Sequence, residues 1–181
     1  MKKNLPAFLW IVLILLPFSG RAEWIQTGSH KTAGTPPEVT ILSEDASGLV
    51  LQIDLAGFYL EEINAGSKTY QTVDLLTESF TLKPGSPRVP YIAKVFAVPD
   101  QAVVSVEMLE TGDEFTYQNI YMPPAKESWP EGQPESDYVE NKTAYHTDEL
   151  YPLQPVSVET PSVFRDFRIV RLSVFPVRYN P

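Results

Sequence analysis

Few side chains in this sequence have the types and spacing that catalysis or metal binding requires. The chain has 2 His and 0 Cys. His30 and His146 are far apart, and neither has a second ligand at a His-x-His or His-Glu-x-x-His spacing, so both are predicted to be surface residues. The lack of Cys excludes a thiol nucleophile, a thiolate metal site and a disulfide, and no Gly-x-Ser-x-Gly elbow offers a serine nucleophile. We therefore predict a protein without catalytic residues, metal or cofactor.

Acidic residues are numerous, but no pair or cluster of them has the pattern of a site. The 23 Asp and Glu residues single out no glycosidase-like pair, and the acidic stretch from Glu131 to Glu140 matches no known calcium loop. That stretch is predicted to be a solvated loop stiffened by proline. The net charge of −9 excludes nucleic acid as a partner, because a phosphate backbone must be met by clustered Lys and Arg. It favours a partner with a basic surface.

The first residues predict export. Lys2 and Lys3 precede an apolar run from Ala7 to Leu16, and small residues lead to Ala22, where a signal peptidase would cut. The apolar run is too short for the roughly 20 residues that span a bilayer, so we predict no stable membrane anchor. Residues 1–22 are thus a signal peptide, and residues 23–181 form one periplasmic or extracellular domain.

The remaining chain must supply the elements that position any binding surface, and short strands are its main pattern. Apolar and polar residues alternate from Leu49 to Leu55, Gly57 breaks the run, and the turn residues Asn64 to Ser67 separate two strands of a hairpin. Residues 23–181 contain no apolar stripe with the 3.6-residue period of a helix, so no helix is predicted there. The sequence predicts an all-β fold, an antiparallel, jelly-roll-like β-sandwich in a single domain, with a partly open barrel as the alternative. Further strands are predicted at residues 58–63, 69–75, 91–98, 103–109, 114–122, 162–170 and 171–179.

Two proline-rich segments lack the pattern of a strand. Residues 81–90 contain Pro84, Pro87 and Pro90, and predict a rigid, extended connection. Residues 123–155 are rich in proline and acidic residues and are too long for an ordinary loop, which is typical of a functional or disordered segment. Trp129 lies inside this loop next to Pro130, where an apolar side chain on a stiff loop could serve as a binding anchor.

The aromatic residues leave a second class of function open. Trp24 is expected at an edge of the sandwich or in its core. Five other aromatic side chains could form a surface that stacks on sugars or docks a protein. These are Tyr121, Trp129, Tyr138, Tyr145 and Tyr151.

Several motifs follow one another along the chain in a specific order. The stretch from Leu49 to Leu55 is followed by Gly57-Phe58, and Pro84-Gly85-Ser86-Pro87 by Val89-Pro90. A strand then ends in Ala97-Val98-Pro99, and the chain closes with Arg165-Asp166-Phe167-Arg168 and with residues 174–181, which end in Tyr-Asn-Pro. This order resembles that of a known family, the N-terminal propeptide of gingipain-type cysteine peptidases. The resemblance covers nearly all of residues 23–181.

This resemblance implies a β-sandwich propeptide that helps its cysteine peptidase fold and keeps it latent during export until proteolysis removes it. The partner it implies is the catalytic domain of a cognate gingipain-type peptidase, with a loop laid across the active-site cleft. By order along the chain, that loop falls at residues 126–134. The candidate inhibitory residues are Lys126, Glu127, Ser128, Trp129, Pro130 and Glu131.

The chain departs from the family pattern in two places. Pro130 stands at about the position of the arginine that enters the specificity pocket in arginine-specific members. Lys126 or Trp129 is then the substitute, or the loop blocks the cleft sterically. Family members also continue past Tyr-Asn-Pro into another strand and the peptidase, so the chain is expected to be either a fragment or an inhibitor acting in trans. A sandwich lacking its last strand would have an unpaired edge.

Three functions therefore follow, in order of preference. The first is a non-catalytic propeptide that inhibits its peptidase. The second is a secreted carbohydrate- or surface-binding β-sandwich that uses its exposed aromatic residues. The third, a glycosidase-like enzyme, is disfavoured because the domain is small and no carboxylate pair is marked.

Overall fold

A computed structural model describes residues 22–28, 32–45, 48–77, 79–128 and 130–181. The described chain has no helix and is built from antiparallel strands, so the prediction of a single all-β domain is confirmed. The predicted signal peptide, residues 1–22, lies outside the described residues except for Ala22. The strands are β1 (Glu23–Gln26), β2 (Glu38–Asp45), β3 (Gly48–Asp54), β4 (Gly57–Ala65), β5 (Lys68–Asp74), β6 (Ile92–Ala97), β7 (Val156–Val158), β8 (Ser162–Phe164) and β9 (Phe167–Val174).

The first sheet has the strand order β1-β4-β5 and contains the predicted hairpin. Strands β4 and β5 pair from Ala65 opposite Lys68 onward, and Gly66 takes the positive φ of 62° that the tight turn needs. Strand β1 is one of the two edge strands of this sheet, and Trp24 on it is half-buried with its ring 4.9 Å from that of Tyr59. A second sheet consists of β2 and β3 alone.

The third sheet joins distant parts of the chain in the order β6-β9-β7, with β8 also paired to β9. The predicted boundary between two strands at residues 170 and 171 is wrong, because β9 runs through it. The chain reverses instead at Arg165-Asp166, where Phe164 pairs with Phe167. Arg165 has a φ of 56°, a conformation for which glycine or asparagine is the usual signal, so the sequence did not mark this turn.

Residues 103–109 and 114–122 are not strands, contrary to the sequence prediction. Their alternating Val, Met, Phe and Tyr side chains suit a strand, but a strand also needs a neighbour with which its backbone can pair. In the described structure no neighbouring chain pairs its backbone with residues 103–119.

The core is formed as much by irregular chain as by the sheets. Phe58 and Val73 from the first sheet pack with Leu75, and non-strand residues complete the cluster. The proline-rich residues 81–90 were predicted to be only a connection, yet Ser86, Pro87, Val89 and Pro90 are among the most deeply buried residues. The other buried members of the cluster are Met122, Tyr145 and Tyr179.

Candidate functional site

The long segment at residues 123–155 begins from a rigid base. Pro123, Pro124 and Ala125 are buried, and their backbone pairs with the proline-rich segment. The amide of Gly85 donates to the Ala125 carbonyl (2.9 Å), and the Ala125 amide donates to the Ser86 carbonyl (2.8 Å). Proline restricts the backbone, so this base holds the start of the segment in a defined direction.

Gly85 is required where the segment returns to its base. It has a φ of +77°, and a Cβ atom there would lie 3.0 Å from both the Cβ and the amide nitrogen of Asn141. The Asn141 amide donates to the Gly85 carbonyl at 2.9 Å. Only a residue without a side chain allows the outgoing and returning chain to approach this closely.

Between these two points, residues 127–135 form a projecting loop whose two ends are held together at a neck. At the neck, Lys126 Nζ lies 3.1 Å from a Glu135 carboxylate oxygen and 4.1 Å from the centre of the Tyr138 ring. The hydroxyl of Ser136 donates to the Glu127 carbonyl at 3.0 Å. These contacts close the loop at its stem.

The described residues of the projecting loop are all exposed. At its tip the Gln133 amide donates to the Pro130 carbonyl at 3.2 Å, and Gly132 has a φ of 83°. A four-residue turn with glycine at its third position and a positive φ there is a type II turn. The tip is therefore a structured turn whose described residues are exposed to solvent.

Glu140 ties the returning chain to the first sheet through three donors to a single carboxylate oxygen. Lys68 Nζ lies at 2.6 Å, the Tyr121 hydroxyl at 2.7 Å and the Tyr70 hydroxyl at 2.8 Å. The Tyr70 and Tyr121 rings stack with their centres 5.2 Å apart. We call these four residues the Glu140 cluster.

The electrostatics of the Glu140 cluster favour a charged carboxylate and neutral tyrosines. Burial alone would raise the pKa of Glu140, but the hydrogen bonds from Lys68, Tyr121 and Tyr70 outweigh it, and the pKa lies below its usual value. Burial, with the hydrogen bond to Glu140, raises the pKa of Tyr70 to about 12. The bond to Glu140 raises the pKa of Lys68 above its usual value. The cluster is therefore intact at neutral pH.

A single turn after Glu140 brings the segment back to the core. Asn141 Oδ1 accepts hydrogen bonds from the amides of Thr143 (2.9 Å) and Ala144 (3.3 Å). The buried Tyr145 hydroxyl then donates to the Met122 carbonyl at 2.9 Å. Residues 136–145 are thus fixed to the domain, whereas residues 127–135 project from it.

The structure brings most of the candidate inhibitory residues to the projecting loop. Glu127, Ser128, Pro130 and Glu131 are exposed on it, and Trp129 lies outside the described residues. Lys126 stands at the neck with its side chain only 17% exposed and bound to Glu135, so it points to its own chain. Sequence reasoning missed the partners in the Glu140 cluster, because Lys68 and Glu140 are 72 residues apart and no motif links them.

The aromatic residues proposed as a sugar-binding surface mainly pack within the protein. Tyr145 is buried, while Tyr121, Tyr138 and Tyr151 are half-buried. The rings of both Tyr121 and Tyr138 lie against Tyr70. Flat, exposed ring faces are needed for stacking on sugars, and these rings do not offer them.

His146 is exposed, as predicted, and its ring Nδ1 lies 2.7 Å from the Lys142 carbonyl. His30 lies outside the described residues. The described part of the chain contains no group of three or more His, Cys, Asp or Glu residues that could hold a metal ion. Within the same residues, no helix is long and apolar enough to cross a membrane.

Comparison with known families decides the identity of this domain. The family model described as Propeptide_C25 matches residues 29–181. The chain belongs to the gingipain-type propeptide family. Because this is a family of propeptides, the match confirms the predicted propeptide character and the prediction that the domain is not an enzyme. It also disfavours the alternative of a sugar-binding domain. Membership also indicates an exported protein.

The relatives of this propeptide include gingipain R2 from two strains of Porphyromonas gingivalis. Each is 24% identical over 184 residues, which cover 100% of this chain and 24% of the relative. The chain thus spans about a quarter of the length of these curated relatives.

Two solved structures share the fold of this propeptide. One concerns the zymogenic latency of gingipain K from P. gingivalis, with a TM-score of 0.70, 21% identity and 88% of each chain covered. The other is a complex of the pro- and mature domains of P. gingivalis RgpB, with a TM-score of 0.70, 20% identity, and 79% of this chain and 74% of that chain covered.

Proposed function

We propose that this propeptide keeps the catalytic domain of a gingipain-type cysteine peptidase inactive by laying the projecting loop over its active-site cleft. The observation that carries the proposal is the closed neck, with the Lys126–Glu135 ion pair on one side and the Ser136–Glu127 hydrogen bond on the other. Family membership and the likeness to propeptide structures support the same role. The propeptide also assists folding of the peptidase, as a template for the cleft.

A loop held in one shape binds more tightly than a flexible one. Ordering a long side chain at an interface costs about 0.5–1.5 kcal/mol, and a loop already ordered by its neck and its tip turn avoids part of that cost. The tip turn between Pro130 and Gln133 and the Glu140 cluster supply this order.

The loop would resist turnover because its geometry is unsuited to attack. Catalysis needs the reacting atoms about 3–3.5 Å apart and aligned. Pro130 restrains the backbone near the bond that would be cut and has no amide hydrogen to donate. The loop would therefore occupy the cleft without being cut readily.

The side chains of the loop favour steric blocking with an apolar anchor over insertion of a basic group. Glu127, Glu131 and Glu135 make the loop acidic, and Lys126 is already paired with Glu135. Trp129 is then the residue that would fill a pocket of the cleft. In this proposal Lys126 closes the neck.

The compartment in which the propeptide would act follows from its export. The signal peptide would be removed after Ala22, which leaves the propeptide in the periplasm or outside the cell. There it would meet its peptidase as the two fold.

The test is inhibition of a gingipain-type catalytic domain by the purified chain, with mature gingipain R2 as the probe. Wild type should inhibit hydrolysis of a peptide substrate, and Trp129→Ala should weaken inhibition by about tenfold or more, as is usual for loss of a central anchor. Lys126→Ala should weaken it less, because it loosens the neck. Leu42→Ala, an exposed apolar residue on β2, is the control and should inhibit like wild type.

Two outcomes would overturn the proposal. If Trp129→Ala and Lys126→Ala both inhibit as well as wild type, the loop has no part in inhibition. If wild type binds the catalytic domain without slowing hydrolysis, the propeptide does not keep the peptidase inactive.

A further inference from the structure

Residues 103–119 form a ribbon that no turn or bend interrupts from residue 103 to residue 118, so its chain is extended, and its backbone has no hydrogen-bonded partner within the described structure. Every residue from 105 to 119 is exposed. None of the backbone amides or carbonyls of the ribbon forms a hydrogen bond with another described residue. Two segments with the composition of strands are thus already extended, and their pairing positions are unused.

The side chains of the ribbon are unusually apolar for so exposed a segment. The exposed fractions are 97% for Val103, 70% for Leu109 and 55% for Phe115. Apolar side chains on an extended, unpaired backbone are the features that allow another strand to add to an edge.

Both ends of the ribbon are fastened to the domain. At its start, the guanidinium of Arg168 donates to the Pro99 carbonyl (2.8 Å) and to the Ala102 carbonyl (2.7 Å). At its end, the Tyr117 ring lies edge-on to Phe58, with the ring centres 5.5 Å apart. Fastened ends keep the intervening chain extended, which lowers the ordering cost of binding.

The charge of the ribbon indicates the partner. It carries Glu107, Glu110, Asp113 and Glu114, and no Lys or Arg. None of these four carboxylates forms an ion pair within the described part of the chain. A second copy of this acidic ribbon would be repelled, because like charges facing each other across a strand pair are destabilising.

We propose that the ribbon is a docking site that accepts one extended strand from a protein partner by β-augmentation. The partner strand is apolar on alternate residues and carries Lys or Arg between them. Main-chain hydrogen bonds would supply affinity, and the apolar and acidic side chains of the ribbon would supply selectivity. This site is separate from the projecting loop, so it stands whether or not the loop inhibits a peptidase.

The test uses the purified full chain and a synthetic peptide of alternating valine and lysine. We expect the peptide to slow amide hydrogen exchange in residues 103–119 and to bind less tightly as salt is added. An alternating valine–glutamate peptide should bind about tenfold more weakly or not at all. A valine–lysine peptide with alternate amides methylated keeps the charge but loses the hydrogen bonds, so it should also bind about tenfold more weakly.

Variants of the ribbon provide a second measurement. Met108→Pro removes one backbone donor and should weaken binding of the valine–lysine peptide, whereas Met108→Ala should bind it within about threefold of wild type. Because the Met108 amide has no partner in the described structure, both variants should melt near the wild-type temperature. If Met108→Pro unfolds, the methylated peptide still decides the question on the wild-type chain.

Each contrary result overturns the proposal. Absence of protection in the ribbon would remove the site, and protection confined to the acidic projecting loop would indicate binding by charge alone. Equal binding of the methylated peptide would exclude strand pairing. Protection of the ribbon that rises with protein concentration, without peptide, would make the partner a second copy.

Discussion

Replacing Glu140 with alanine removes one acceptor on which three donors converge, so it tests how the returning chain is held. The variant leaves the Tyr70 and Tyr121 hydroxyls without their partner and frees Lys68. We expect the domain to lose stability and residues 136–141 to detach from the first sheet.

The expected loss follows from the two tyrosine bonds. A hydrogen bond to a charged group contributes about 1.5–3 kcal/mol. The Glu140 side chain is 19% exposed, so water can partly replace each bond and the lower end of that range applies. Together the two hydroxyl bonds contribute about 3 kcal/mol, and the ion pair with Lys68, which is half-exposed, adds little. In a domain of this size the melting temperature should fall by about 6–12 °C.

The assay is thermal and denaturant unfolding of Glu140→Ala beside Glu131→Ala. Glu131 lies exposed at the tip of the projecting loop, so its loss should change stability by no more than about 0.5 kcal/mol. A double-mutant cycle isolates the tyrosine bond. Tyr70→Phe should cost about 1–2 kcal/mol in wild type and close to nothing in Glu140→Ala.

Two results would refute this reasoning. If Glu140→Ala has the same melting temperature as Glu131→Ala, the Glu140 cluster does not hold residues 136–141 to the first sheet. If Tyr70→Phe costs the same in both backgrounds, the Tyr70 hydroxyl does not act through Glu140.

Three other predictions concern the base of the loop, the Glu140 cluster and the neck. Gly85→Ala should cost about 1–3 kcal/mol, because its φ is +77° and its new Cβ would be crowded, while Gly112→Ala, with open space around it, should be nearly neutral in the same denaturant titration. Folding raises the pKa of Tyr70 from 10.0 to about 12, so the stability that its hydroxyl contributes below pH 10 is lost as the pH rises to about 12. Tyr70→Phe lacks this group and should therefore lose less stability than wild type between pH 10 and pH 12. Equal losses in the two proteins would contradict this prediction. Lys126→Met should change the melting temperature little but speed cleavage of the projecting loop in limited proteolysis, and an unchanged rate would show that the ion pair with Glu135 does not close the neck.

Much of the fold is predictable because its hairpin is local. Strands β4 and β5 follow alternating side chains and are separated by Gly66, a signal that needs no knowledge of the rest of the chain. The turn at Arg165-Asp166 lacks such a signal, which explains the misplaced boundary near β9. Residues 103–119 have the composition of strands without the neighbour that makes one, and a neighbour cannot be read from the segment itself.

The sequence suggests where the candidate site lies but not the contacts that build it. Its proline and acidic residues and its length predict that residues 123–155 are a functional or disordered segment. The sequence does not reveal that Lys126 binds Glu135, or that Glu140 meets Tyr70, since these contacts depend on how separate segments fold together. Likewise the burial of Pro87 and Pro90 reflects close packing of irregular chain, for which no periodic pattern exists.

The closed neck has a consequence for a chain that has been cut. If one peptide bond broke between residues 127 and 135, the Lys126–Glu135 ion pair and the Ser136–Glu127 hydrogen bond would still hold the two new ends side by side. The ends would remain at a high effective concentration, so the nicked loop would keep nearly its original shape. A single cut there would not release the propeptide, and its removal would require a second event that separates the two halves.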